Sequence, residues 1–348
     1  MKSVSIVIPT LNSARILEKC LKSVRNQDYK ADVEIVIADG GSSDQTLEIA
    51  KGFKAKIFEN KLRTGEAGKA VGIKAAKEDL IVLLDSDNVL PDQDWLKNLT
   101  FPFSDKDIVG SEPWKFEVNR KDGLIDRYSG LMGMNDPMCY WLGNYDHWNY
   151  IDEKWTRMKI NAEDKGSWLK LKLDSPEIPT IGANGAVFQR EFLWKHFQGE
   201  YFFDIDFLPL VLSKNQPIYY AKVKTSIHHL FCGSDFKQFY RKQHRRIRDM
   251  LARRNVTKIF FIPDYNQRQY RWGGKSKFRF TIKIGEFILN CLTVVPLFIQ
   301  LIKGYQNKKS KAWLIHPLMC WLTLAAYGQG TIESLFAAEE LDRKKWKQ

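Results

Sequence analysis

Between Val4 and Asp87 the chain alternates four short apolar runs with helical patterns, and that alternation restricts the fold more than any other feature. The first run, Val4–Thr10, is expected to stop at Pro9, which cannot donate a ladder hydrogen bond. Asn12 or Ser13 can then cap a helix whose buried face reads Ile16, Leu17, Cys20, Leu21 and Val24. A second run, Val33–Asp39, leads into Gly40-Gly41-Ser42-Ser43-Asp44, a tight turn in which Asp44 can cap the helix carrying Leu47, Ile49 and Ala50. A third strand near Ala55 to Phe58 and a helix from about Ala67 to Lys77 precede the fourth run, Leu80–Leu84. Such alternation predicts an α/β fold with a mainly parallel, doubly wound sheet and right-handed crossovers. The fourth run is apolar throughout, as suits a central strand, and ends in Asp85-Ser86-Asp87. Both acids therefore fall at a strand's carboxyl end, where open α/β sheets bind ligands. Asp-X-Asp offers hard oxygen ligands suited to Mg²⁺ or Mn²⁺; alone, the tripeptide reads equally as a solvated turn.

The chain's 348 residues suggest two units. Its formal charge of +13 favours polyanionic partners such as nucleic acid, anionic lipid or phosphorylated substrates. Five scattered cysteines lack metal-ligand spacing and read as buried thiols of a reducing compartment, and with a strand pattern beginning within three residues of Met1 no signal peptide is expected. The Gly-X-Gly-X-X-Gly fingerprint is absent after the first strand, which disfavours a nicotinamide enzyme.

Four motifs in order, Val7-Ile-Pro-Thr10-Leu-Asn12, Asp39-Gly-Gly-Ser-Ser-Asp44-Gln-Thr46, Gly72-Ile-Lys-Ala-Ala76 and Leu84-Asp-Ser-Asp87-Asn88, resemble the nucleotide-binding half of family 2 glycosyltransferases. These are inverting enzymes of the GT-A fold that use nucleotide-diphosphate sugars. The resemblance implies that Pro9, Thr10 and Asn12 line the nucleotide pocket, that Asp39 contacts base or ribose, and that Asp85 and Asp87 bracket ribose and metal. Val71 precedes Gly72 where relatives carry Asn or Arg, leaving Arg63 or Lys69 to supply a polar donor contact.

Residues 111–180 are dense in aromatics and amides, which fit either a sugar- or isoprenoid-facing wall or ordinary core. Their acids, among them Asp136, Asp146, Asp152, Glu163 and Asp164, disfavour nucleic acid as a partner. The small-residue segment Thr180–Glu191 permits close backbone approach to a ligand. By the resemblance it lies under the donor sugar, with Asn184 as a binding residue. Inverting transfer needs a base, and a carboxylate among aromatics has its pKa raised toward that role. Relatives place Glu-Asp where this chain has Phe203-Asp204, so Asp204 is the expected base and Asp206 the reserve; either acid could instead cap a helix beginning near Phe207. By the same resemblance one of His228 and His229 completes the metal site, and His229 is the expected third ligand beside Asp85 and Asp87. The helix from Ser234 carries Phe236, Phe239, Tyr240, Ile247, Met250 and Leu251 on one stripe. Its Gln243-His-Arg245-Arg246 resembles the Gln-X-X-Arg-Trp motif, with Ile247 replacing Trp; there Arg246, with Gln243, would hold the donor diphosphate.

Two uncharged stretches, Phe287–Ile302 and Ala312–Ile332, flank a lysine-rich segment. They suggest a helical hairpin at the membrane, re-entrant or just spanning, or else a buried C-terminal helix pair. The expected organisation is a catalytic domain over 1–226 (nucleotide half 1–110, acceptor half 111–226), a basic helix and linker over 227–275, and a hydrophobic hairpin with charged tail over 276–348. The functional expectation is a metal-dependent glycosyltransferase at the cytoplasmic face of the membrane, using a nucleotide-diphosphate sugar and a lipid-linked or growing-glycan acceptor. A non-catalytic scaffold and a sugar nucleotidyltransferase are the alternatives.

Overall fold

The computed structural model describes residues 1–214, 217–255 and 277–336. In chain order its first elements are β1 (Val4–Thr10), α1 (Ala14–Arg25), β2 (Val33–Asp39), α2 (Thr46–Gly52), β3 (Lys56–Glu59), α3 (Gly65–Ala75), β4 (Leu80–Leu83), β5 (Asn88–Val89), α4 (Trp95–Thr100) and β6 (Ile108–Phe116). Next come α5 (Leu124–Met132), α6 (Met138–Leu142), β7 (Asn161–Asp164), β8 (Trp168–Leu173), β9 (Ala186–Gln189), α7 (Arg190–His196), α8 (Asp204–Lys214) and β10 (Ile218–His229). The chain continues as α9 (Phe236–Asn255), α10 (Lys277–Thr293), α11 (Val295–Asn307) and α12 (His316–Phe336). Two compact units result: Met1–Glu117 with Lys159–Leu230, and Val118–Met158 with Phe231–Gln348.

The first unit is built on one sheet in the order β3-β2-β1-β4-β9-β6-β10-β8-β7, with β5 added alongside β10. Strands β1 to β4 pair in parallel, as the βα alternation predicts. Beyond β4 the sheet is mixed: β9 runs antiparallel to β4 and β6, whereas β6 and β10 are parallel. Leu80 to Leu84 are all buried, as expected of a central strand. Strand β1 runs through Pro9, which pairs with Ala38. Val7 accepts from Leu84 N–H on the β4 side, and Pro9 has the same parity; pairing with β4 has ended there, so its missing N–H costs no ladder bond.

Small residues on α3 set how closely that helix lies on β1. A Cβ at Gly72 would stand 2.2 Å from Val7 Cγ1, and one at Gly68 would stand 2.6 Å from Pro9 Cβ. Thr64 caps the helix by accepting from Ala67 N–H. Expected caps at α1 and α2 are differently arranged: Asp44 accepts from both Ala14 N–H and Thr46 N–H, while Asn12 bonds Ser43 N–H across the turn.

In the second unit the aromatics of the middle stretch are core. Tyr128, Tyr140, Trp141 and Tyr145 are buried in one cluster with Phe239, Phe287, Trp313 and Met319. The reading of these rings as a ligand-facing wall gives way to the core reading, because apolar partners cover them. The same packing groups residues 118–158 with the C-terminal helices, a discontinuous division that a linear reading of the chain at 226 and 275 does not anticipate. Four of the five cysteines are buried and none is in a disulfide.

The first of the two uncharged C-terminal stretches is not one straight helix. A bend of 90° at Val294 divides the first stretch into α10 and α11, and Val294 adopts φ +62°, costly for a β-branched residue. Among the described residues no single helix is long and apolar enough to cross a membrane; this bent pair alone passes by length and composition. The second stretch, α12, buries Met319, Cys320, Thr323 and Ala326, with Trp313 buried just ahead of it. The side chains of Met250 and Leu251, residues 256–276 of the expected linker, and the tail beyond 336 lie outside the described residues.

Candidate active site

The site lies in the first unit, beyond the carboxyl ends of β1, β2 and β4. At the end of β2, Asp39 is buried and its two oxygens accept from Thr10 Oγ1 (2.8 Å), Ser42 Oγ (2.6 Å), Gly41 N–H (2.8 Å) and Ser42 N–H (2.8 Å). A carboxylate has about four acceptor sites, so Asp39 is engaged in shaping its own turn. Asn12, at φ +49°, fastens the β1 loop to that turn. The end of β1 and the Asp39 turn are thus joined through Thr10 and Asn12.

The Asp-Ser-Asp turn is held by Asn88. Asp85 N–H donates to Asn88 Oδ1 at 3.0 Å, and Asn88 N–H returns a bond to Asp85 O at 2.9 Å. Asn88 Nδ2 also reaches Asn184 Oδ1 at 3.4 Å, which brings the Gly-rich segment to the turn. Antiparallel pairing of β5 with β10 sets His229 opposite Asn88, and this register delivers the His229 ring to Asp87, with Nε2 3.4 Å from Oδ1. Leu230 N–H further ties the Asp87 carbonyl at 2.9 Å.

Asp85 and Asp87 turn to different partners. Asp85 Oδ1 lies 3.0 Å from Lys69 Nζ, and the same ammonium lies 2.6 Å from Asp204 Oδ2. Among the described residues no three His, Cys, Asp or Glu side chains converge as a metal cage. Of the expected metal residues, Asp87 faces His229 and Asp85 faces Lys69. One carboxylate oxygen and one imidazole nitrogen still suit Mg²⁺ or Mn²⁺, because such ions keep waters and take substrate phosphates to complete their shell.

Asp204 opens α8, three residues before the expected start near Phe207. Burial pushes its carboxyl up from the usual range and Asp85 adds to this, against the pull of Lys69. Burial disfavours charge on Lys69 too, but the Asp204 and Asp85 carboxylates outweigh it and raise its pKa. Asp206 is buried in the same first turn, and Asp204 is the acid that shares Lys69 with Asp85. Gly182, at φ +111°, lets the Gly-rich segment pass the Asp204 backbone, where a Cβ would stand 2.7 Å from Asp204 O. Glu112 fixes that segment by accepting from Gly182 N–H at 2.6 Å, and Lys222 neutralises Glu112 at 2.5 Å with both side chains fully buried.

Gln243 and Arg246 belong to the second unit. Gln243 donates to Asn135 O, and Arg246 bonds Gln243 Oε1 at 2.7 Å and pairs with Asp136 at 3.4 Å. Sequence reasoning named Lys69 only as a substitute donor contact and did not foresee its two ion pairs. A signal was present: a lysine set among Gly65, Ala67, Gly68, Ala70 and Gly72 sits on a helix whose small residues mark close packing. Asn88 stood inside a quoted motif, while Glu112 and Lys222, 110 residues apart, left no local trace.

The family model for glycosyl transferase family 2 matches residues 5–197. Over 106 residues the chain is 42% identical to a dolichyl N-acetyl-α-D-glucosaminyl phosphate 3-β-D-2,3-diacetamido-2,3-dideoxy-β-D-glucuronosyltransferase of Methanococcus voltae, covering 28% of this chain and 33% of that protein. It is 35% identical over 97 residues to the GalNAc(5)-diNAcBac-PP-undecaprenol β-1,3-glucosyltransferase of Campylobacter jejuni, covering 26% and 31% respectively. The match thus spans about a third of these relatives' length. A solved mannosyltransferase from Pyrobaculum calidifontis, in complex with GDP-Man and Mn²⁺, superposes with TM-score 0.52 at 14% identity, covering 97% of this chain and 88% of that one. Its likeness extends to the fold.

Proposed function

We propose that this chain, which belongs to glycosyl transferase family 2, moves a sugar from a nucleotide-diphosphate donor to a lipid-linked or growing-glycan acceptor, with inversion at the anomeric carbon. The observation that carries this reading is the meeting, beyond the strand ends of one sheet, of Asp87 with His229 and of Asp85 with Lys69 and Asp204. The nucleotide occupies the crevice walled by Pro9, Thr10, Asn12 and the Asp39 turn. Asp204 takes the proton from the acceptor hydroxyl as its oxygen attacks the anomeric carbon; the bond from that carbon to the donor diphosphate breaks, and the diphosphate leaves with the electron pair. Asp87 and His229 would hold Mg²⁺ or Mn²⁺, which when bound neutralises charge on the leaving diphosphate. Asn184, tied to the turn through Asn88, stands on the segment that faces the sugar.

Relatives named for dolichyl- and undecaprenol-linked substrates support a lipid-linked acceptor. So does the second unit, where Leu289, Leu292, Val295, Phe298, Ile299 and Ile302 of α10 and α11 are each more than half exposed. At ~1.5 Å per residue neither helix reaches the roughly 30 Å of a bilayer core, so the bent pair lies in the interface. Lys303, Lys308, Lys309 and Lys311 would meet anionic headgroups there, at the cytoplasmic face.

The test is incubation with lipid extract, Mn²⁺ and a panel of UDP-, GDP- and dTDP-sugars, with products read by mass spectrometry. A glycosylated lipid or glycan and free nucleoside diphosphate are expected, and Asp87→Ala should abolish both. Full activity of Asp87→Ala would refute the mechanism. Release of pyrophosphate would indicate a nucleotidyltransferase, and absence of Mn²⁺-dependent nucleotide-sugar binding would indicate a scaffold.

A further inference from the structure

We propose that Lys69 is a positioning residue that ties the base carboxylate to the first acid of the Asp-Ser-Asp turn and competes with the divalent cation for Asp85. The inference rests on the reading of Asp204 as base, but its claim about the cation stands on geometry alone. The ammonium is 2.6 Å from Asp204 Oδ2 and 3.0 Å from Asp85 Oδ1, and the side chain is only 7% exposed. Its backbone is equally constrained. Gly68 precedes it and Gly72 follows one turn later, both at positions where a Cβ would strike β1, so α3 has little freedom to shift. A second fastening joins the same elements: Phe202 N–H donates to Glu66 O at 2.9 Å, holding the approach to α8 against the start of α3.

The charge balance gives this lysine its role. Asp85 and Asp204 come from distant parts of the chain, and two carboxylates brought to one point repel unless a cation stands between them. Lys69 supplies that cation before any metal arrives. It also commits Asp85 Oδ1, so Asp87 and His229 would be the ion's protein ligands, with waters and the donor's phosphate oxygens filling the rest of the shell. A metal ion alone then binds weakly, and metal together with nucleotide binds well. The lysine thereby couples cation binding to the presence of the donor while keeping the base in place.

The deciding measurement is calorimetric titration of the full chain with Mn²⁺ alone. Lys69→Met should tighten Mn²⁺ binding by about tenfold or more, because a neighbouring unit positive charge opposes a divalent ion even in a water-like dielectric. Lys69→Gln keeps a donor for the carboxylates and repeats the measurement if the methionine variant does not fold. Lys69→Arg keeps the charge and should bind Mn²⁺ within about threefold of the parent. With the donor selected in the panel above, Lys69→Met should lower kcat by about a hundredfold and change the donor KM by less than about threefold, since it disturbs the base and leaves the nucleotide crevice intact. Unchanged or weaker Mn²⁺ binding in the neutral variants, or tightening by Lys69→Arg equal to that of Lys69→Met, overturns the inference. A donor KM that rises with kcat unchanged also overturns it, because Lys69 would then be binding the donor. Full activity of Asp204→Asn would sink the base reading and leave the Mn²⁺ result standing, so the two failures are distinguishable.

Discussion

The ion pair between Lys222 and Glu112 gives the sharpest prediction about how the site is held. Both side chains are fully buried, and Glu112 also accepts from Gly182 N–H at 2.6 Å, the residue that lets the Gly-rich segment pass Asp204. Lys222→Met removes the ammonium that faces Glu112 at 2.5 Å. The fold can then keep the carboxylate charged without that ammonium, or protonate it. Protonating a glutamate of ordinary pKa ~4.3 at pH 7 costs about 3.7 kcal/mol, from 2.7 units at 1.36 kcal/mol each, and this falls within the roughly 3–5 kcal/mol typical of a broken buried pair. At pH 5 the same step costs about 1 kcal/mol. A carboxyl forced neutral by the fold destabilises above its ordinary pKa, so the defect of Lys222→Met should be large at pH 7 and shrink as the pH falls toward 5. Adding Glu112→Gln, which retains an acceptor for Gly182, should recover most of the loss. Because the chain has two compact units, a single unfolding midpoint would mix them. Hydrogen exchange of peptides from β6 and β10 reads the first unit directly. An equal defect at both pH values, or a double variant no better than the single, would refute the reasoning.

Two further outcomes concern the second unit. Leu292→Glu combined with Ile299→Glu places charge on exposed positions, so the variant should fold normally yet lose flotation with phosphatidylglycerol vesicles by about a hundredfold; retained flotation would remove the interfacial role of α10 and α11. Burial lowers the His316 pKa to about 3, with its ring nitrogens bonded to Tyr128 and Gln300. A histidine kept neutral in the fold loses stability as pH drops below its ordinary ~6.5, by up to about 1.4 kcal/mol per pH unit. Hydrogen exchange of α12 peptides from pH 7 to pH 5 should follow that slope, and His316→Asn should flatten it.

The sequence by itself determined the parallel half of the sheet and the place of its crevice. Strand and helix periods and glycine turns are local, so Val4–Thr10, Val33–Asp39 and Leu80–Leu83 emerged as strands and Asp39, Asp85 and Asp87 fell at their ends. The antiparallel insertion of β9 was not legible, since pairing partners a hundred residues apart leave no periodic mark. The rings of Tyr128, Tyr140, Trp141 and Tyr145 could not be assigned to core or ligand wall from sequence; their clustering with Phe287 and Trp313 makes them core. Tertiary structure also decided which group each acid of the Asp-Ser-Asp turn faces. Register between β5 and β10 carried His229 to Asp87, while close packing of α3 on β1 carried Lys69 to Asp85 and Asp204. Spacing along the chain places two carboxylates at one strand end; which cation each one faces depends on contacts made across the fold, and those are set by packing.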